Sequence, residues 1–381
     1  RRVVVPGENA MEAAVIPGIT VWGVNCLNDL LAALNHPELE TEKVYQPRIR
    51  AEDLLREGTG QDTGDFREVA GQENAKRGAE IAAAGFHNLL MIGPPGVGKS
   101  MVAGRIPGIL PPLTLKESLE VTGIFSVAGL LPPGQALITR RPFYAPHHTV
   151  TQAALIGGGS GIPRPGMVSL AHRGVLFLDE LPEFRKNVLD GMRQPMEERK
   201  VQIARSAGMV TYPSDFILVA AMNPCPCGYY PDRNKCRCTQ PQIEKYLGKI
   251  SGPILDRIDL CVELHPVDIL HLQKTKTEKS SEDMKRQIRH ARERQAERFA
   301  GTDCRFNGDI RSAQVEEYCP LGEEGQKVME QLYRTLQLSA RVYHRILKTA
   351  RTIADLEDRE EITGEHLLEA ACYRPSETYW N

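Results

Sequence analysis

Residues 93–100 read Gly93-Pro94-Pro95-Gly96-Val97-Gly98-Lys99-Ser100, and this segment is the most informative in the chain. It follows the apolar run 88–92 and precedes a helix-compatible stretch, which is the strand–loop–helix context of a phosphate-binding loop. Glycines let backbone N–H groups surround an anion, and the positive end of the helix adds to the attraction. A Gly/Pro-rich surface turn is the alternative. We predict that this loop binds a nucleotide triphosphate, with Lys99 on the β- and γ-phosphates and Ser100 on Mg²⁺.

Composition sets outer limits on the architecture. The 381 residues allow two or three domains, and 41% hydrophobic with 25% charged residues is ordinary for globular protein. A formal net charge of −2 excludes a uniformly basic coat, so contact with nucleic acid would need a local patch or a pore. No apolar run approaches the roughly 20 residues of a membrane span, and no signal peptide is visible. Nine cysteines then indicate a reducing compartment, and we expect a cytoplasmic location without a membrane partner.

The pattern divides the chain into four regions. Residues 1–35 read as the end of an α/β domain, and because the chain opens with Arg1-Arg2 we expect a longer parent protein. Residues 36–65 read as a polar linker, 66–266 as an α/β core, and 267–381 as a helical domain. Within the first region, helical spacing predicts one buried helix face with Asn25 as its N-cap. The residues of that face are Leu27, Leu30, Leu31 and Leu34.

A pair of acids follows a second apolar run, Gly174-Val-Leu-Phe-Leu-Asp179-Glu180. Four apolar residues in a row are typical of a strand buried on both faces, and ligands of parallel sheets bind at the carboxyl ends of the strands. We predict that Asp179 holds Mg²⁺, largely through water, and that Glu180 orients or activates the attacking water. A solvated turn is the alternative.

Three further residues are candidates for sensing or stabilising the triphosphate. Asn223 ends the apolar run 216–222 and reads as a sensor of the γ-phosphate, although it could also form a turn before Pro224. Arg257, between apolar residues and acids, is either an arginine finger that reaches a neighbouring subunit or a structural ion pair. Arg341, on an amphipathic helix, is either a lid arginine or an exposed helix charge.

These residues occur in the order found in one family of ATPases. The chain resembles the ComM/YifB family of magnesium-chelatase-like AAA+ proteins over nearly all its length, and this family is itself close to the chelatase I subunit and the MCM helicases. Besides the loop at 93–100, the resemblance rests on Val69-Ala-Gly-Gln72, Arg141-Pro-Phe-Tyr-Ala-Pro-His147-His148-Thr149, Ala154-Leu-Ile-Gly-Gly-Gly159, Pro163-Arg-Pro-Gly166, Leu170-Ala-His-Arg-Gly-Val-Leu-Phe-Leu-Asp-Glu-Leu-Pro182, Asn223-Pro-Cys-Pro-Cys-Gly228, Leu255-Asp-Arg-Ile-Asp259 and Ser339-Ala-Arg341.

The resemblance implies an AAA+ P-loop core with a parallel sheet, followed by an all-α lid domain and preceded by the tail of a Lon-protease-like domain. It adds Gln72 to the nucleotide-binding residues and gives Lys99, Asp179, Glu180 and Asn223 the roles derived above. Arg257 and Arg341 keep theirs, and a trans-acting finger implies a homo-oligomeric ring, a hexamer.

The resemblance also implies a DNA helicase or branch-migration motor in recombination, with natural transformation as one setting. The main rival is a chelatase-type ATPase that remodels a protein partner for metal insertion. A nucleotide-dependent scaffold with little turnover is a third class.

Two inserts bear on DNA as a partner. The separation of Lys99 from Asp179 far exceeds the roughly 30 residues of one strand–helix–strand unit. The excess contains a Gly-rich loop and Arg164. A second insert, residues 201–211, alternates around a turn and places Arg205 near its tip. In MCM-like motors, which these segments resemble, such projections grip DNA, and a cation can follow the backbone of any sequence. Exposed loop charges are the alternative.

The remaining candidate is a cysteine cluster, Cys225-Pro-Cys227 and Cys236-Arg-Cys238. Four thiolates on a short loop rich in turns are a candidate Zn²⁺ site. The C-x-C spacing is tighter than the usual C-x-x-C, so free thiols or a disulfide are the competing interpretations. His147 and His148 lack further ligands at fixed spacing, and we expect them to pack or hydrogen-bond near the nucleotide or the pore insert.

Overall fold

The computed structural model describes residues 1–36, 44–47, 50–57, 64–132, 134–159, 163–205, 208–267, 279–375 and 379. Their contacts form two units. The first comprises Arg1–Gln61 with Pro112–Arg141, and the second comprises Asp62–Pro111 with Pro142–Asn381. Residues 112–141, which lie inside the core region predicted at 66–266, therefore pack with the amino-terminal segment. The predicted domain limits remain predictions.

Eleven strands are present in the described part of the chain. They are β1 (Arg2–Pro6), β2 (Thr20–Val24), β3 (Leu89–Ile92), β4 (Phe143–Tyr144), β5 (Gly157–Gly158), β6 (Arg164–Pro165), β7 (Val175–Leu178), β8 (Lys200–Arg205), β9 (Gly208–Pro213), β10 (Ile217–Met222) and β11 (Leu260–Glu263).

The α-helices are α1 (Ala10–Ala14), α2 (Leu27–Asn35), α3 (Ala51–Glu57), α4 (Glu73–Gly85), α5 (Lys99–Ile109), α6 (Leu115–Ala128), α7 (Gln152–Ile156), α8 (Met167–Leu170), α9 (Lys186–Gly191), α10 (Arg193–Glu198), α11 (Gln240–Leu247), α12 (Gly252–Leu255), α13 (Ser281–Arg298), α14 (Val315–Tyr318), α15 (Glu323–Thr335), α16 (Ala340–Leu356) and α17 (Gly364–Cys372).

The first unit contains a parallel pair, β1 and β2, with helices α1, α2, α3 and α6. Its helix α2 differs from the sequence-based prediction. The N-cap is Cys26 rather than Asn25, and the helix packs on Trp22 and Val44 through Leu30 and Ala33. The other leucines of the predicted buried face remain exposed, because the packed stripe is rotated toward Ala33. These exposed residues are Leu27, Leu31 and Leu34.

A helix also occurs where a linker was predicted. Helix α3 lies within residues 36–65, and Ala51 at its start is buried against Val15 and Leu137 of the same unit. Polar composition had suggested a flexible segment, but one apolar face of a short helix is enough to pack it.

The second unit is organised around a five-stranded parallel sheet with the order β11-β3-β10-β7-β4. Met222 of β10 pairs with Ile92 of β3, and Ala220 pairs with Leu178 of β7, so the carboxyl ends of the three central strands lie side by side. Because β10 lies between β3 and β7, any residue that follows β10 emerges between the residues that follow its neighbours. This strand order brings three separate motifs to one edge.

Both faces of the sheet are covered, as the apolar runs predict. Leu89 and Met91 of β3 pack into one core with α4, α5 and the carboxyl-terminal helices, whereas Leu90 and Ile92 pack into a second core on the other face. All four residues are at most 1% exposed. The alternation follows from the two-residue period of a strand, and it fixes the backbone from which the phosphate loop departs.

The carboxyl-terminal region is helical and packs on the sheet domain within the same unit. Ser280 caps α13 and Ser339 caps α16, which gives each helix a defined start. A buried polar network joins the helices. The carboxylate of Asp355, which is fully buried, accepts hydrogen bonds from Arg298 at 2.6 and 2.7 Å and from the Asn307 amide at 2.8 Å. A parallel-sheet α/β core followed by a helical domain is the fold expected of an AAA+ protein.

Two small antiparallel pairs of strands lie beside this sheet. Strand β5 pairs with β6, and β8 pairs with β9 from Lys200↔Pro213 to Arg205↔Gly208. The alternation predicted in residues 201–211 thus falls on two paired strands, and the predicted turn at residues 206–207 lies outside the described residues. Among the described residues, no helix combines the length and the apolar character that a membrane span requires.

Candidate functional site

The loop at 93–98 connects β3 to α5 with the geometry predicted for a phosphate cradle. Gly96 and Gly98 have φ values of +80° and +95°, in the region that favours glycine. At Gly93 a side chain is excluded by contact, because a Cβ would lie 2.6 Å from the carbonyl oxygen of Leu264. The remaining loop residues, Pro94, Pro95 and Val97, complete the turn into the helix. The backbone of this segment therefore depends on its glycines for two different reasons.

The loop and the acidic strand tip share one cleft. The Ser100 hydroxyl, in the first turn of α5, donates to Asp179 Oδ2 at 2.9 Å, and Asp179 directly follows β7. A hydroxyl and a carboxylate placed together offer the hard oxygen ligands that Mg²⁺ prefers. The donor set therefore fits the magnesium site predicted at these two residues.

Lys99 is directed across the mouth of the loop. It is 9% exposed, and its ammonium group donates to the carbonyl oxygens of Gly93 at 2.6 Å and Pro94 at 2.9 Å. It also donates to Asn223 Oδ1 at 3.1 Å, which places the predicted sensor beside the phosphate loop. Burial lowers the pKa of Lys99, while the negative charges of Asp179 and Glu180 act in the opposite direction. A bound triphosphate would supply further negative charge and favour the ammonium form.

Glu180 has an unusual backbone and an unexpected partner. Its φ of +53° is in the left-handed region, which a residue with a Cβ seldom adopts. The Asp179 carboxylate accepts the Glu180 N–H at 2.9 Å and supports this turn. The Glu180 side chain is 55% exposed, and its Oε2 lies 3.1 Å from His148 Nδ1. The structure therefore brings Glu180 and Asp179 together at the sheet edge and adds His148 to the site.

Gln72 contacts the phosphate loop at Val97. Its side-chain amide donates to the carbonyl oxygens of Val97 at 3.3 Å and His265 at 2.7 Å, and the residue precedes α4 with a left-handed backbone. The amide therefore connects the phosphate loop to the segment that follows β11. This position agrees with a nucleotide-binding role, which remains a prediction.

Arg257 and Arg341 lie in a different neighbourhood. The Arg257 guanidinium forms an ion pair with Glu197 at the end of α10 and donates to the carbonyl oxygen of Pro253. Arg341, at the start of α16, pairs with Asp256, the residue next to Arg257. Burial lowers the pKa of Arg257, and the charges of Arg341 and Arg193 act in the same direction. The described hydrogen bonds and ion pairs of both arginines are thus to this group of residues, and their catalytic roles remain predictions.

The candidate DNA contacts lie on the two hairpins. Arg164 is exposed and pairs through its backbone with Gly158. The Arg205 backbone pairs with Gly208 at the end of the β8–β9 ladder that is nearest to residues 206–207, and its side chain lies outside the described part of the structure. Arg164 is therefore an exposed residue on a largely buried pair of strands, whereas Arg205 lies at the end of the longer hairpin.

The cysteine loop, residues 223–239, gathers four sulfurs. The ligand atoms of Cys225, Cys227, Cys236 and Cys238 all lie within 4.8 Å of one another, and all four cysteines are free thiols. Sulfurs bound at about 2.3 Å around one tetrahedral centre would lie roughly 3.8 Å apart. The observed separations of Cys236 Sγ from Cys225 and Cys227 Sγ are 3.7 and 3.6 Å. The donor set fits a zinc ion in spite of the C-x-C spacing.

One thiol of the cluster is already disposed to ionise. Burial opposes ionisation of Cys227, but hydrogen bonds from the Tyr229 N–H and the Cys225 thiol outweigh it and lower its pKa to about 6. By contrast, burial raises the pKa of Cys238 to about 12. A cation would favour the thiolate form of each.

Three contacts of the site could not be assigned from the sequence alone. His148 was expected near the nucleotide or the pore insert without a named partner, and its partner is Glu180. Glu197 carries no signal that connects it to Arg257, because the two residues are distant in sequence and meet only in the folded structure. Tyr246 likewise carries no motif, yet its hydroxyl lies beside the Asn223 backbone amide.

The fold and the site define a class of protein. A parallel sheet that places a phosphate loop, an acidic strand tip and a polar sensor at one edge, followed by a helical domain, is the architecture of an AAA+ ATPase. Comparison with known families agrees. Residues 65–272 match the family model for magnesium chelatase subunit ChlI, and residues 278–374 match the model for the carboxyl-terminal part of that subunit.

Individual relatives narrow the family. The chain is 42% identical to the YifB protein of Salmonella typhimurium over 98% of its own length and 71% of that protein. It is 40% identical to the competence protein ComM of Haemophilus influenzae over 98% of its own length and 72% of that protein. A more distant match, 25% identical over 58% of the chain, is the magnesium-chelatase 67 kDa subunit of Chlorobaculum parvum, of which it covers 34%. The chain belongs to the ComM/YifB family of magnesium-chelatase-like AAA+ ATPases.

Proposed function

We propose that this protein hydrolyses Mg-ATP in a ring of identical subunits and uses the energy to move DNA strands in recombination. The observation that carries the ATPase step is the shared cleft, in which Ser100 contacts Asp179 at 2.9 Å and Lys99 contacts Asn223 at 3.1 Å. Residues that follow the carboxyl ends of β3, β7 and β10 converge where a γ-phosphate and its attacking water would lie.

Each residue of the cleft has a distinct task in this proposal. Lys99 exchanges its bonds to the loop carbonyls for phosphate oxygens, and Asn223 contacts the γ-phosphate. Ser100 and Asp179 would hold Mg²⁺, which neutralises charge on the phosphates when bound. Glu180 accepts the proton of the attacking water, for which a carboxylate at the mouth of the cleft is suited.

The proposal assigns the two arginines to a neighbouring subunit's ATP. Their contacts are with Glu197, Pro253 and Asp256 rather than with the phosphate-loop side chains of their own chain. Adjacent placement allows both guanidinium groups to approach one triphosphate across a subunit interface. This arrangement needs a closed ring, and we propose a hexamer.

DNA is the proposed substrate of the motor because each of the two antiparallel strand pairs carries an arginine, Arg164 or Arg205. Such cations would contact phosphates without reading sequence. The competence protein ComM among the relatives supports a role in the uptake or recombination of DNA, including natural transformation.

The decisive measurement is ATP-dependent unwinding or branch migration of forked DNA, with ATP turnover recorded with and without DNA. We expect DNA to stimulate the wild-type protein and Arg205→Ala to lose most of the stimulation while keeping its basal turnover. Arg311→Ala, on the helical domain, serves as the matched loss of a positive charge. If no DNA substrate changes the rate of ATP turnover by the wild-type protein, the proposal of a DNA motor is wrong.

In that event the chelatase-type remodeller becomes the better reading, because both family models derive from a magnesium-chelatase subunit. Its ATP site would be the same, and a protein partner would replace DNA as the stimulating ligand.

We also propose that the cysteine loop holds one structural Zn²⁺ through Cys225, Cys227, Cys236 and Cys238. The spacing of the sulfurs supports this assignment. Metal analysis after purification without chelators should find about one zinc per chain, and Cys236→Ser should lower that content, whereas Cys372→Ser should not. A metal-free wild-type protein, with the thiols reduced, would refute the zinc site.

A further inference from the structure

The cysteine loop touches the ATP-binding cleft at two points. It runs from the carboxyl end of β10 to the start of α11. Residues 223–239, all of them described, form turns rather than a helix or a strand. The backbone hydrogen bonds within it close single turns, such as Gly228 N–H to the Cys225 carbonyl and Cys236 N–H to the Asp232 carbonyl. Its conformation therefore also depends on what joins these turns to one another.

The first point of contact is the start of the loop. Asn223 Oδ1 accepts a hydrogen bond from Lys99, and the Asn223 backbone amide lies beside the Tyr246 hydroxyl on α11. Two residues later, Cys225 is fully buried in the core on that face of the sheet, which also contains Tyr246 and Cys236. The position of the sensor amide is therefore tied to the position of a buried thiol.

The second point of contact lies on the phosphate loop itself. Gly228 packs so tightly against the ring of Pro95 that a Cβ at Gly228 would lie 2.5 Å from Pro95 Cδ. Its φ of +88° is also in the region that favours glycine. Gly228 follows Cys227 directly, so a movement of that sulfur would move the glycine that supports the loop.

We propose that metal bound by the four cysteines holds the phosphate loop and the sensor in their ATP-binding geometry, so that ATP affinity depends on metal occupancy. The inference rests on the zinc site and the ATP site proposed above. Its physical basis is loop closure. The cysteine pairs lie at the two ends of the segment, and one ion that joins them removes most of the conformational freedom between them.

Without the metal, the four thiols would still be packed but no longer joined. Gly228 would be free to leave Pro95, and Asn223 would lose one of the constraints that direct its amide toward Lys99. ATP binding would then have to order the loop, and the cost of that ordering would appear as a weaker Kd.

The first test measures binding of a fluorescent ATP analogue in the presence of Mg²⁺, before and after zinc is removed by a chelator selective for zinc over magnesium. We expect the Kd to rise roughly tenfold or more on removal and to recover when zinc is restored. Cys236→Ser should give the same loss, whereas Cys372→Ser, outside the cluster, should leave the Kd unchanged. Circular dichroism shows whether each variant is folded.

The second test leaves the metal in place. Gly228→Ala puts a methyl group against Pro95, and we expect the Kd for the analogue to rise while the zinc content stays at the wild-type level. Gly301→Ala is the matched control, because Gly301 also has a positive φ, +78°, but a Cβ there would meet no atom within 4 Å. The control should bind the analogue as the wild type does.

The outcomes separate this inference from the proposals on which it rests. If zinc is bound but neither its removal nor Gly228→Ala changes the Kd, the coupling is overturned and the zinc site stands. If the wild-type protein contains no metal, the zinc site and the coupling fall together while ATP binding survives. If the wild-type protein binds no ATP analogue, the nucleotide site itself is wrong.

Discussion

The phosphate-loop cleft and the arginine-bearing edge around α12 are held together in different ways. In the cleft, Ser100 contacts Asp179 and Lys99 contacts Asn223, so the predicted catalytic groups contact one another. At the arginine edge, Arg257 and Arg341 contact Glu197 and Asp256, which have no proposed part in the chemistry. The cleft is therefore assembled from residues of a single chain. At the arginine edge, the two guanidinium groups are paired with acids and do not contact the phosphate-loop side chains.

The contrast shows how the work of hydrolysis would be divided. A parallel sheet brings strand ends together, so one chain can bind Mg-ATP and position water. Charge stabilisation in the transition state would then come from a neighbouring subunit, which makes turnover depend on assembly. Four predictions test this division, from the largest expected effect to the smallest.

Replacement of Arg257 by Ala should cause the largest fall in ATP turnover. An arginine finger contributes on the order of 10³–10⁵ to the rate, so turnover should fall by about that factor while ATP binding is kept. Steady-state ATPase assays and analogue binding measure the two quantities.

The matched experiment for Arg257 mixes two inactive variants. Lys99→Ala subunits retain the finger and Arg257→Ala subunits retain the loop, so mixed rings contain some intact interfaces and should regain part of the activity. Failure to regain activity at every ratio would place Arg257 outside a shared site.

Glu180→Gln should come next, because a general base contributes roughly 10²–10⁴ to a rate. The variant keeps the shape of the side chain, so it should bind the ATP analogue normally and turn over about that much more slowly. Glu183→Gln is the control, since Glu183 is an exposed acid paired with Lys249. Near-normal hydrolysis by the Glu180 variant would remove this residue from its proposed role.

Arg341→Ala should have an intermediate effect. Loss of one hydrogen bond to a charged group costs about 1.5–3 kcal/mol, which corresponds to roughly 10- to 100-fold in turnover. Arg334→Ala, an exposed arginine on the neighbouring helix α15, is the control for charge. If mixing with Lys99→Ala subunits restores activity, Arg341 acts on the ATP of a neighbouring subunit, as proposed for Arg257. If mixing restores none, Arg341 acts on the ATP of its own subunit, and its role differs from that of Arg257.

His148→Gln should have the smallest effect. Its contact with Glu180 joins two partly exposed side chains, and such pairs contribute about 0.2–1 kcal/mol. We expect turnover to fall by up to about fivefold, with unchanged affinity for the ATP analogue, because Glu180 loses a fixed orientation. His290→Gln, on an exposed helix face, is the control. A larger loss, or a change in the Kd, would indicate that His148 contacts the nucleotide instead.

Features that depend on residues close together in the sequence were predictable, whereas features that depend on tertiary packing were not. The apolar runs before Gly93, Asp179 and Asn223 are confirmed as buried strands, because an uninterrupted apolar run is typical of a strand covered on both faces. Their order in the sheet was not predicted. The buried face of α2 was wrong, since helical spacing identifies an apolar stripe but not the surface that covers it. Leu27, Leu31 and Leu34 are exposed for that reason.

The amino-acid sequence by itself determined the phosphate loop, the acidic strand tip, the sensor position and the cysteine pairs. Each depends on residue types at short spacing, and that chemistry is legible along the chain. Only the tertiary structure decided that His148 meets Glu180, that Glu197 holds Arg257, and that Gly228 supports Pro95. Those pairs are distant in sequence, and strand order with core packing, rather than any local pattern, brings their atoms into contact.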